Sequence, residues 1–246
     1  MKAAPRDCRV AAHRNRDLLL IMARYPTRGK VKTRLAAEIG HRAATELYRS
    51  FLMHFVREFA RAPFAVEWRY TPARSPFRGI IGRDGYFAQP QPEGDLGARM
   101  RRIFEESFAR GYSRVVMIGT DAPELGQGTV QRAFQMLGMK PAVFQPTHDG
   151  GYALIGLSAM LDVFSGISWS TSKVMTQTRA RLNAFGIAFA ELPPTFDVDT
   201  AADLARLRTG LRRMQVRRLA FVSAPKIWCE SWFSSFGSCR WRNRGV

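Results

Sequence analysis

Short apolar segments alternate with amphipathic segments along most of this 246-residue sequence. Residues 18–23 and 115–118 are the clearest apolar runs, and each has the length and composition of a strand that is buried on both faces. Other segments continue the alternation, with strands predicted at 65–70, 142–145, 152–157 and 187–192, and helices from about residue 30, at 42–61, 96–108, 128–137 and 171–185, and after residue 199. Strands that alternate with helices predict an α/β fold with a mostly parallel, helix-covered sheet.

The chain length and the distribution of charge limit the domain count and the classes of partner. One α/β domain is expected at residues 18–210, between a polar N-terminal extension (1–17) and a basic, tryptophan-containing tail (211–246) that we expect to be poorly ordered. The formal net charge is +18, but residues 18–210 carry 25 Lys and Arg against 17 Asp and Glu, which leaves about +8. That charge suits a phosphate-bearing substrate and does not require a polynucleotide.

The cysteines and the hydropathy pattern bear on the compartment. Cys8, Cys229 and Cys239 lie in the two terminal segments without a CxxC spacing, so neither a disulfide framework nor a zinc site is predicted. The sequence has no run of about 18 apolar residues, and residues 1–17 lack the apolar segment of a signal peptide. We therefore expect a cytoplasmic protein without a membrane span.

Asp121 directly follows the apolar run 115–118, in the segment Gly119-Thr120-Asp121-Ala122-Pro123. Open α/β sheets bind ligands at the carboxyl ends of their strands, and carboxylate oxygens are typical Mg²⁺ ligands. Asp121 is therefore a candidate metal ligand. The alternative is that it only caps a turn before Pro123.

The segment Gly29-Lys30-Val31-Lys32-Thr33-Arg34 places three cations in the first turns of a predicted helix, and Arg24 and Arg28 precede it. Cations at a helix start oppose the helix dipole, at a cost of about 0.3–1 kcal/mol each, so the cluster favours a bound anion there. The Walker pattern GxxxxGK[ST] is missing from the segment, which predicts a different phosphate-binding geometry. An exposed basic helix face is the alternative.

Three further segments each have a structural and a functional interpretation. In Glu93-Gly94-Asp95-Leu96-Gly97, Asp95 is either a helix cap or part of a loop that selects a nucleobase. The segment Asp149-Gly150-Gly151-Tyr152 is a hairpin turn, a substrate loop or both. In Asp197-Val198-Asp199-Thr200, Asp199 either caps a helix or, if the sheet brings it beside Asp121, completes a Mg²⁺ site together with the phosphate oxygens of a nucleotide.

Six motifs occur in a fixed order: MARYPTRGKVKTRL, GDLGARM, IGTDAP, DGGYALIGL, WST and DVDT. In this order and spacing they resemble a bacterial family of GT-A-like transferases. That family is largely uncharacterised, is often described as glycosyltransferases, and includes the radical-SAM/selenodomain-associated transferases. It is similar in turn to 2-phospholactate guanylyltransferase and to the molybdenum-cofactor nucleotidyltransferases. The resemblance covers about residues 18 to 208.

The resemblance implies a three-layer α/β/α nucleotide-diphospho-sugar transferase (GT-A-like) fold. It also implies four groups of site residues: phosphate-binding Arg24, Lys30, Lys32 and Arg34; base-binding Glu93, Gly94, Asp95 and Gly97; acceptor-binding Asp149, Gly150, Gly151 and Tyr152; and Asp121 and Asp199, which would hold Mg²⁺ or Mn²⁺. Asp121, Lys32 and Arg34 are the expected catalytic residues.

The predicted reaction is nucleotidyl transfer from an NTP to a phosphorylated small molecule, with release of pyrophosphate. Many GT-A glycosyltransferases carry an Asp-x-Asp pair at the strand end, whereas here the second position after Asp121 is Pro123, which favours nucleotidyl transfer. Glycosyl transfer from a nucleotide-sugar to a small-molecule acceptor stays open. A non-enzymatic nucleic-acid binder, suggested by the basic tail, is the less favoured third hypothesis.

Overall fold

The computed structural model describes residues 16–82 and 87–215, with side chains as far as residue 210. The strands are β1 (Asp17–Arg24), β2 (Ala65–Thr71), β3 (Phe87–Pro90), β4 (Arg114–Ile118), β5 (Ala142–Pro146), β6 (Tyr152–Leu157) and β7 (Phe189–Glu191). The helices are α1 (Thr33–Ile39), α2 (His41–Glu58), α3 (Arg78–Ile81), α4 (Leu96–Ala109), α5 (Gln127–Leu137), α6 (Val174–Ala184) and α7 (Ala201–Gln215). Most of the predicted N-terminal extension, and the predicted tail beyond residue 215, lie outside the described residues.

The strands form one seven-stranded sheet in the order β3-β2-β1-β4-β6-β5-β7. β1 pairs in parallel with β2 and β4, and the pairs β2–β3 and β5–β7 are also parallel. β6 is antiparallel to both β4 and β5. The predicted α/β fold with a mostly parallel sheet is therefore confirmed.

Both faces of the sheet are covered by helices. Alternate side chains of β1 enter two cores: Leu19 and Ile21 pack with α1, α2, α5 and α7, whereas Leu18 and Leu20 pack with α4 and α6. All four side chains are at most 1% exposed, as predicted for a strand buried on both faces. The result is a three-layer α/β/α domain.

The direction of the strands brings the sequence motifs to one edge. β1 to β5 all end there, because neighbouring parallel strands point the same way and β5 is antiparallel to β6, which is antiparallel to β4. β6 begins at the same edge. β7, parallel to β5, also ends there. The candidate site residues lie in or beside the segments that follow β1, β3, β4, β5 and β7.

Two elements, β3 and α3, were missing from the predictions. Each has only four residues, too few to establish a period of 2 or 3.6. Two predicted helix starts also shift: α1 begins at Thr33 because Lys32 has left-handed backbone angles (φ 47°, ψ 46°), and α6 begins at Val174, beyond Ser170 at φ 61°.

Among the helices in the described ranges, none is long and apolar enough to cross a membrane.

Gly156, in β6, lies where α5 packs onto the sheet. A Cβ at this position would be 2.6 Å from Val143 Cγ1 and 3.1 Å from Leu137 Cδ1, and both side chains are buried. We therefore expect Gly156→Ala to lower the free energy of unfolding by about 1–3 kcal/mol, measured by urea denaturation. Gly128→Ala in α5 is the control, because its Cβ would meet nothing within 4 Å. Equal losses in the two variants would contradict this account of the packing.

Candidate functional site

Three side chains from distant parts of the sequence meet at the carboxyl edge of the sheet. Lys32 Nζ lies 2.5 Å from Asp121 Oδ1 and 3.1 Å from Asp199 Oδ1. The Lys32 side chain is 2% exposed, whereas those of Asp121 and Asp199 are 48% and 36% exposed. This group, the Lys32 cluster (Lys32, Asp121 and Asp199), therefore combines a buried ammonium with two carboxylates that remain accessible from solvent.

The predicted phosphate-binding segment, here named the phosphate loop (residues 24–32), runs from the last residue of β1 to the residue before α1 and determines the position of Lys32. The side chains of Val31 and Leu35, on either side of Lys32, are 5% and 0% exposed and anchor this part of the chain in the core. The Lys32 ammonium also lies 5.9 Å from the centroid of the Phe51 ring. Burial favours the neutral form of Lys32, but the charges and hydrogen bonds of the two cluster carboxylates outweigh burial and raise the pKa of Lys32. Lys32 is therefore a permanent cation at this edge.

Backbone contacts bring Asp199 to the end of β4. The Val198 N–H donates to the carbonyl oxygen of Asp121 at 2.9 Å, which joins the segment before α7 to the loop after β4. Asp203 serves the first turn of α7, since its Oδ2 accepts hydrogen bonds from the N–H groups of Asp199 and Thr200 at 3.1 and 2.9 Å. Thr200 Oγ1 in turn accepts a hydrogen bond from the Asp203 N–H at 3.2 Å, so the capping role considered for Asp199 falls to Thr200 and Asp203, and the Asp199 carboxylate faces Lys32.

A further carboxylate, Asp197, lies two residues before Asp199 on the same extended segment. Burial raises the pKa of Asp197 to about 7, with an added contribution from the charge of Asp121, while Lys32 acts in the opposite direction. The charges of Asp149 and Asp199 raise it further. The burial of Asp197 depends on contacts that the sequence does not reveal. The edge therefore concentrates carboxyl groups around one buried cation.

Tyr48, which sequence reasoning missed, ties the phosphate loop to the end of β4. The Arg24 N–H donates to the Tyr48 hydroxyl at 3.0 Å, and that hydroxyl is hydrogen-bonded to Thr120 Oγ1 at 2.9 Å. Burial and the nearby charge of Asp121 raise the pKa of Tyr48, so the hydroxyl stays protonated. The only indication in the sequence is a hydroxyl-bearing residue on the otherwise apolar face of α2.

The four predicted phosphate-binding cations have different environments. Lys32 is buried in the cluster, and Arg34, 77% exposed, has its Nη1 4.0 Å from Asp199 Oδ2. Arg24 and Lys30 are exposed on the phosphate loop. All four lie on the segment that passes the cluster, and their contacts with phosphate stay predictions.

The base loop (residues 91–97) precedes and begins α4. Asp95 Oδ1 accepts a hydrogen bond from the Ala98 N–H at 2.8 Å, so Asp95 is the N-cap of α4. Glu93 is exposed, and Gly94 has a φ of 118°, a conformation that favours glycine. The capping interpretation of Asp95 is confirmed, while contact between this loop and a base stays a prediction.

The predicted acceptor loop is the turn between antiparallel β5 and β6. Asp149 Oδ1 accepts a hydrogen bond from the Gly151 N–H at 3.2 Å, which closes the turn. Gly150 has a φ of 91°, and a Cβ there would lie 2.1 Å from the carbonyl oxygen of Ser172. The turn interpretation is confirmed, and the close approach at Gly150 is to the backbone before α6. Tyr152 is half-buried with its hydroxyl buried, whereas Asp149 is exposed.

Trp169 connects the two predicted substrate loops. A Cβ at Gly97 would lie 2.1 Å from Trp169 Nε1, so the indole lies directly against the first turn of α4. The same ring is edge-on to Tyr152, with 6.4 Å between centroids and 89° between planes. These contacts with both loops depend on the tertiary fold and not on a local sequence pattern.

The Lys32 cluster has the chemistry of a divalent-cation site. Two carboxylate oxygens already converge on one cationic nitrogen, so they are close enough to share a positive charge. Carboxylate oxygens are also the ligands that Mg²⁺ prefers. Within residues 16–82 and 87–215, no three His, Cys, Asp or Glu side chains form a group that could hold a metal on their own. Asp121 and Asp199 could contribute two of the ligands of a metal site at this edge.

Known structures resemble the whole domain. Residues 70–171 match a family described as an uncharacterized protein conserved in bacteria (DUF2064). A protein from Desulfovibrio desulfuricans G20, described provisionally as a nucleotide-diphospho-sugar transferase, is 34% identical, with a TM-score of 0.78 over 83% of this chain and 91% of that one. No curated protein gives a match.

Two more distant structures share the fold alone. A nucleotidyl transferase from Methanothermobacter is 12% identical, with a TM-score of 0.55 over 80% of this chain and 98% of that one. A CMP:2-keto-3-deoxy-manno-octonic acid synthetase, solved with CTP, is 13% identical, with a TM-score of 0.52 over 80% of this chain and 99% of that one. The predicted GT-A-like fold is confirmed.

Lys32→Met tests whether the cluster stabilises the fold. The substitution keeps an apolar stem but removes the buried ammonium, and it leaves Asp121 and Asp199 to repel each other. We expect the free energy of unfolding to fall by about 1–3 kcal/mol in a metal-free buffer. The loss should not exceed this range, because both carboxylates retain contact with water. Lys30→Met, at an exposed position of the same loop, should change it by less than about 0.5 kcal/mol. A loss no larger than that of the control would show that Lys32 is not needed for stability.

Proposed function

This chain belongs to the bacterial family of GT-A-like transferases that includes the Desulfovibrio protein, and on that premise we propose that it transfers a nucleoside monophosphate from an NTP to a phosphorylated small molecule. The observation that carries the proposal is the Lys32 cluster. It places two accessible carboxylates and one buried ammonium at the sheet edge where α/β folds bind their ligands. That combination suits a metal-bound triphosphate.

The phosphate loop and the start of α1 would neutralise the charge of the donor. Arg24, Lys30 and Arg34 are exposed, so their charged ends are free to turn towards an anion in the cleft. Lys32 already lies at this edge with its ammonium desolvated by burial, which would strengthen its attraction for a phosphate oxygen placed beside it. Donor binding would therefore combine mobile cations with one pre-positioned cation.

Asp121 and Asp199 would hold Mg²⁺ or Mn²⁺ together with phosphate oxygens of the donor. When bound, such an ion supplies positive charge at the transferred and leaving phosphate oxygens. Tyr48 and Val198 support these positions, because their hydrogen bonds fix the backbone on either side of the cluster.

In the proposed reaction, an oxygen of the acceptor phosphate attacks the α-phosphorus of the NTP and forms a new P–O bond. The bond between the α-phosphorus and the oxygen that bridges to the β-phosphorus breaks, and pyrophosphate leaves with the electron pair. An acceptor phosphate is already a nucleophile, so the reaction needs no general base. The base loop and the turn 147–151 would align donor and acceptor for in-line attack, which is the main contribution that the fold can make.

Glycosyl transfer from a nucleotide-sugar is the second candidate, and the description of the Desulfovibrio protein favours it. It would use the same edge and release a nucleoside diphosphate instead of pyrophosphate. Pro123, at the second position after Asp121, supports nucleotidyl transfer over this alternative. The transferase assignment replaces the hypothesis of a purely nucleic-acid-binding protein. The tail that suggested this hypothesis lies, beyond residue 215, outside the described residues.

Asp121→Asn tests the proposed donor site. We expect Mg²⁺ with one of the four NTPs to raise the melting temperature of the full-length protein, because a ligand that binds only the folded state stabilises it. The variant should fold but lose this nucleotide-dependent shift, measured by thermal denaturation. Glu124→Gln, three residues along the same loop, removes a carboxylate outside the cluster and should keep the shift.

The same titrations distinguish the alternatives. A larger shift in melting temperature with a nucleotide-sugar than with any NTP would favour glycosyl transfer. Product analysis with a phosphorylated acceptor would then find a nucleoside diphosphate and no pyrophosphate. An NTP-dependent shift of equal size in Asp121→Asn would contradict the assignment of Asp121.

A further inference from the structure

The side chain of Gln91 fastens the base loop to the ends of two neighbouring strands. Gln91 directly follows β3, and its Nε2 donates hydrogen bonds to the carbonyl oxygens of Ala23 at 3.3 Å and Arg69 at 3.0 Å. Ala23 lies in β1 and directly precedes Arg24, where the phosphate loop begins. The Gln91 N–H also donates to the carbonyl oxygen of Tyr70 at 2.8 Å, so the side-chain amide and this backbone bond together hold the start of the base loop near the phosphate loop.

Arg99, in the first turn of α4, holds the same loop from the other side. Its Nε donates to the carbonyl oxygen of Gly94 at 2.8 Å, and its Nη1 donates to Gln91 Oε1 at 3.1 Å. The guanidinium therefore spans the loop and connects its beginning to its middle. Both side chains are half-buried, and the hydrogen bond between them is partly shielded from water, whereas the one to the Gly94 carbonyl lies at an exposed position.

We propose that Arg99 and Gln91 are positioning residues that fix the spacing between the base loop and the phosphate loop, and that nucleotide affinity depends on that spacing. The proposal rests on the proposed function. Neither residue has to touch the nucleotide, since each acts through the backbone of residues 91–97. The role goes beyond the base-binding positions Glu93, Gly94, Asp95 and Gly97, which would make the contacts.

The base and the phosphates of a nucleotide are covalently joined. A site that binds both must therefore present the two loops at one fixed separation. A loop that has to be ordered on binding weakens affinity, and a displacement of about 1 Å is enough to lose much of the benefit of alignment. Gly94 has a φ of 118°, and Arg99 Nε donates to its carbonyl oxygen, so this hydrogen bond restrains the loop directly before the N-cap residue Asp95.

Two ligands separate the spacing of the loops from the phosphate site alone. Calorimetric titrations of the full-length protein in Mg²⁺ would compare the NTP that stabilises the wild type most with inorganic tripolyphosphate, which has no base. We expect Arg99→Met to bind the NTP at least tenfold more weakly than wild type and tripolyphosphate within twofold of wild type. Arg101→Met is the matched control on α4, because its exposed side chain pairs with Glu105, and it should bind both ligands within twofold of wild type.

Further variants separate positioning from misfolding. Arg99→Lys keeps the charge but cannot reproduce the two-point guanidinium geometry, so we expect only partial recovery of NTP affinity. Gln91→Leu should reproduce the loss, and the double variant Gln91→Leu/Arg99→Met should lose little more than either single variant, because both act through one restraint.

Nucleotide binding by the wild type tests the proposed function, whereas binding by the variants tests the positioning role. If wild-type protein binds no NTP, the proposed function fails and this inference fails with it. If the wild type binds an NTP but Arg99→Met retains full NTP affinity, or loses affinity for NTP and tripolyphosphate in equal measure, only the positioning role is overturned.

Discussion

The contact of Lys32 with Asp121 and Asp199 joins the beginning, the middle and the end of the domain at one point. The three residues follow β1, follow β4 and precede α7, and each reaches the cluster only if its element is correctly placed. A buried ammonium is costly unless it is paired, so the fold has to bring at least one carboxylate to it. The candidate site and the packing of the domain therefore involve the same interaction.

The topology explains why this edge can carry a site. Parallel strands deliver the loops after β1, β3 and β4 to one line, and the reversal at β6 adds the turn 147–151 to it. Hydrogen bonds also tie two of those loops to other elements. Tyr48 holds the phosphate loop to Thr120, and Gln91 holds the base loop to β1. A site built from such cross-links is largely organised before any ligand binds, which lowers the cost of binding.

Local patterns were enough to predict most strands and helices and the order of the candidate loops, because buried strands and amphipathic helices follow from spacing alone. The resemblance of six motifs added the expected pairing of Asp121 with Asp199. Features set by long-range contacts could not be predicted: the burial of Lys32 between those carboxylates, the half-buried Asp197, and the indole of Trp169 against the first turn of α4. The partners of each lie far away in the sequence, and no periodic pattern records them.

The central claim is that the Lys32 cluster is the place where a metal-bound nucleotide is held. It is tested most directly by a crystal structure of the full-length protein with Mn²⁺ and a non-hydrolysable NTP analogue, with the ion located by its anomalous scattering. Mn²⁺ is expected to bind Asp121, Asp199 and the phosphates of the analogue. The phosphates should lie against the segment from Arg24 to Arg34, and the base should lie at residues 91–97. Mn²⁺ and nucleotide bound at another surface, with Lys32 still between both carboxylates, would contradict this claim.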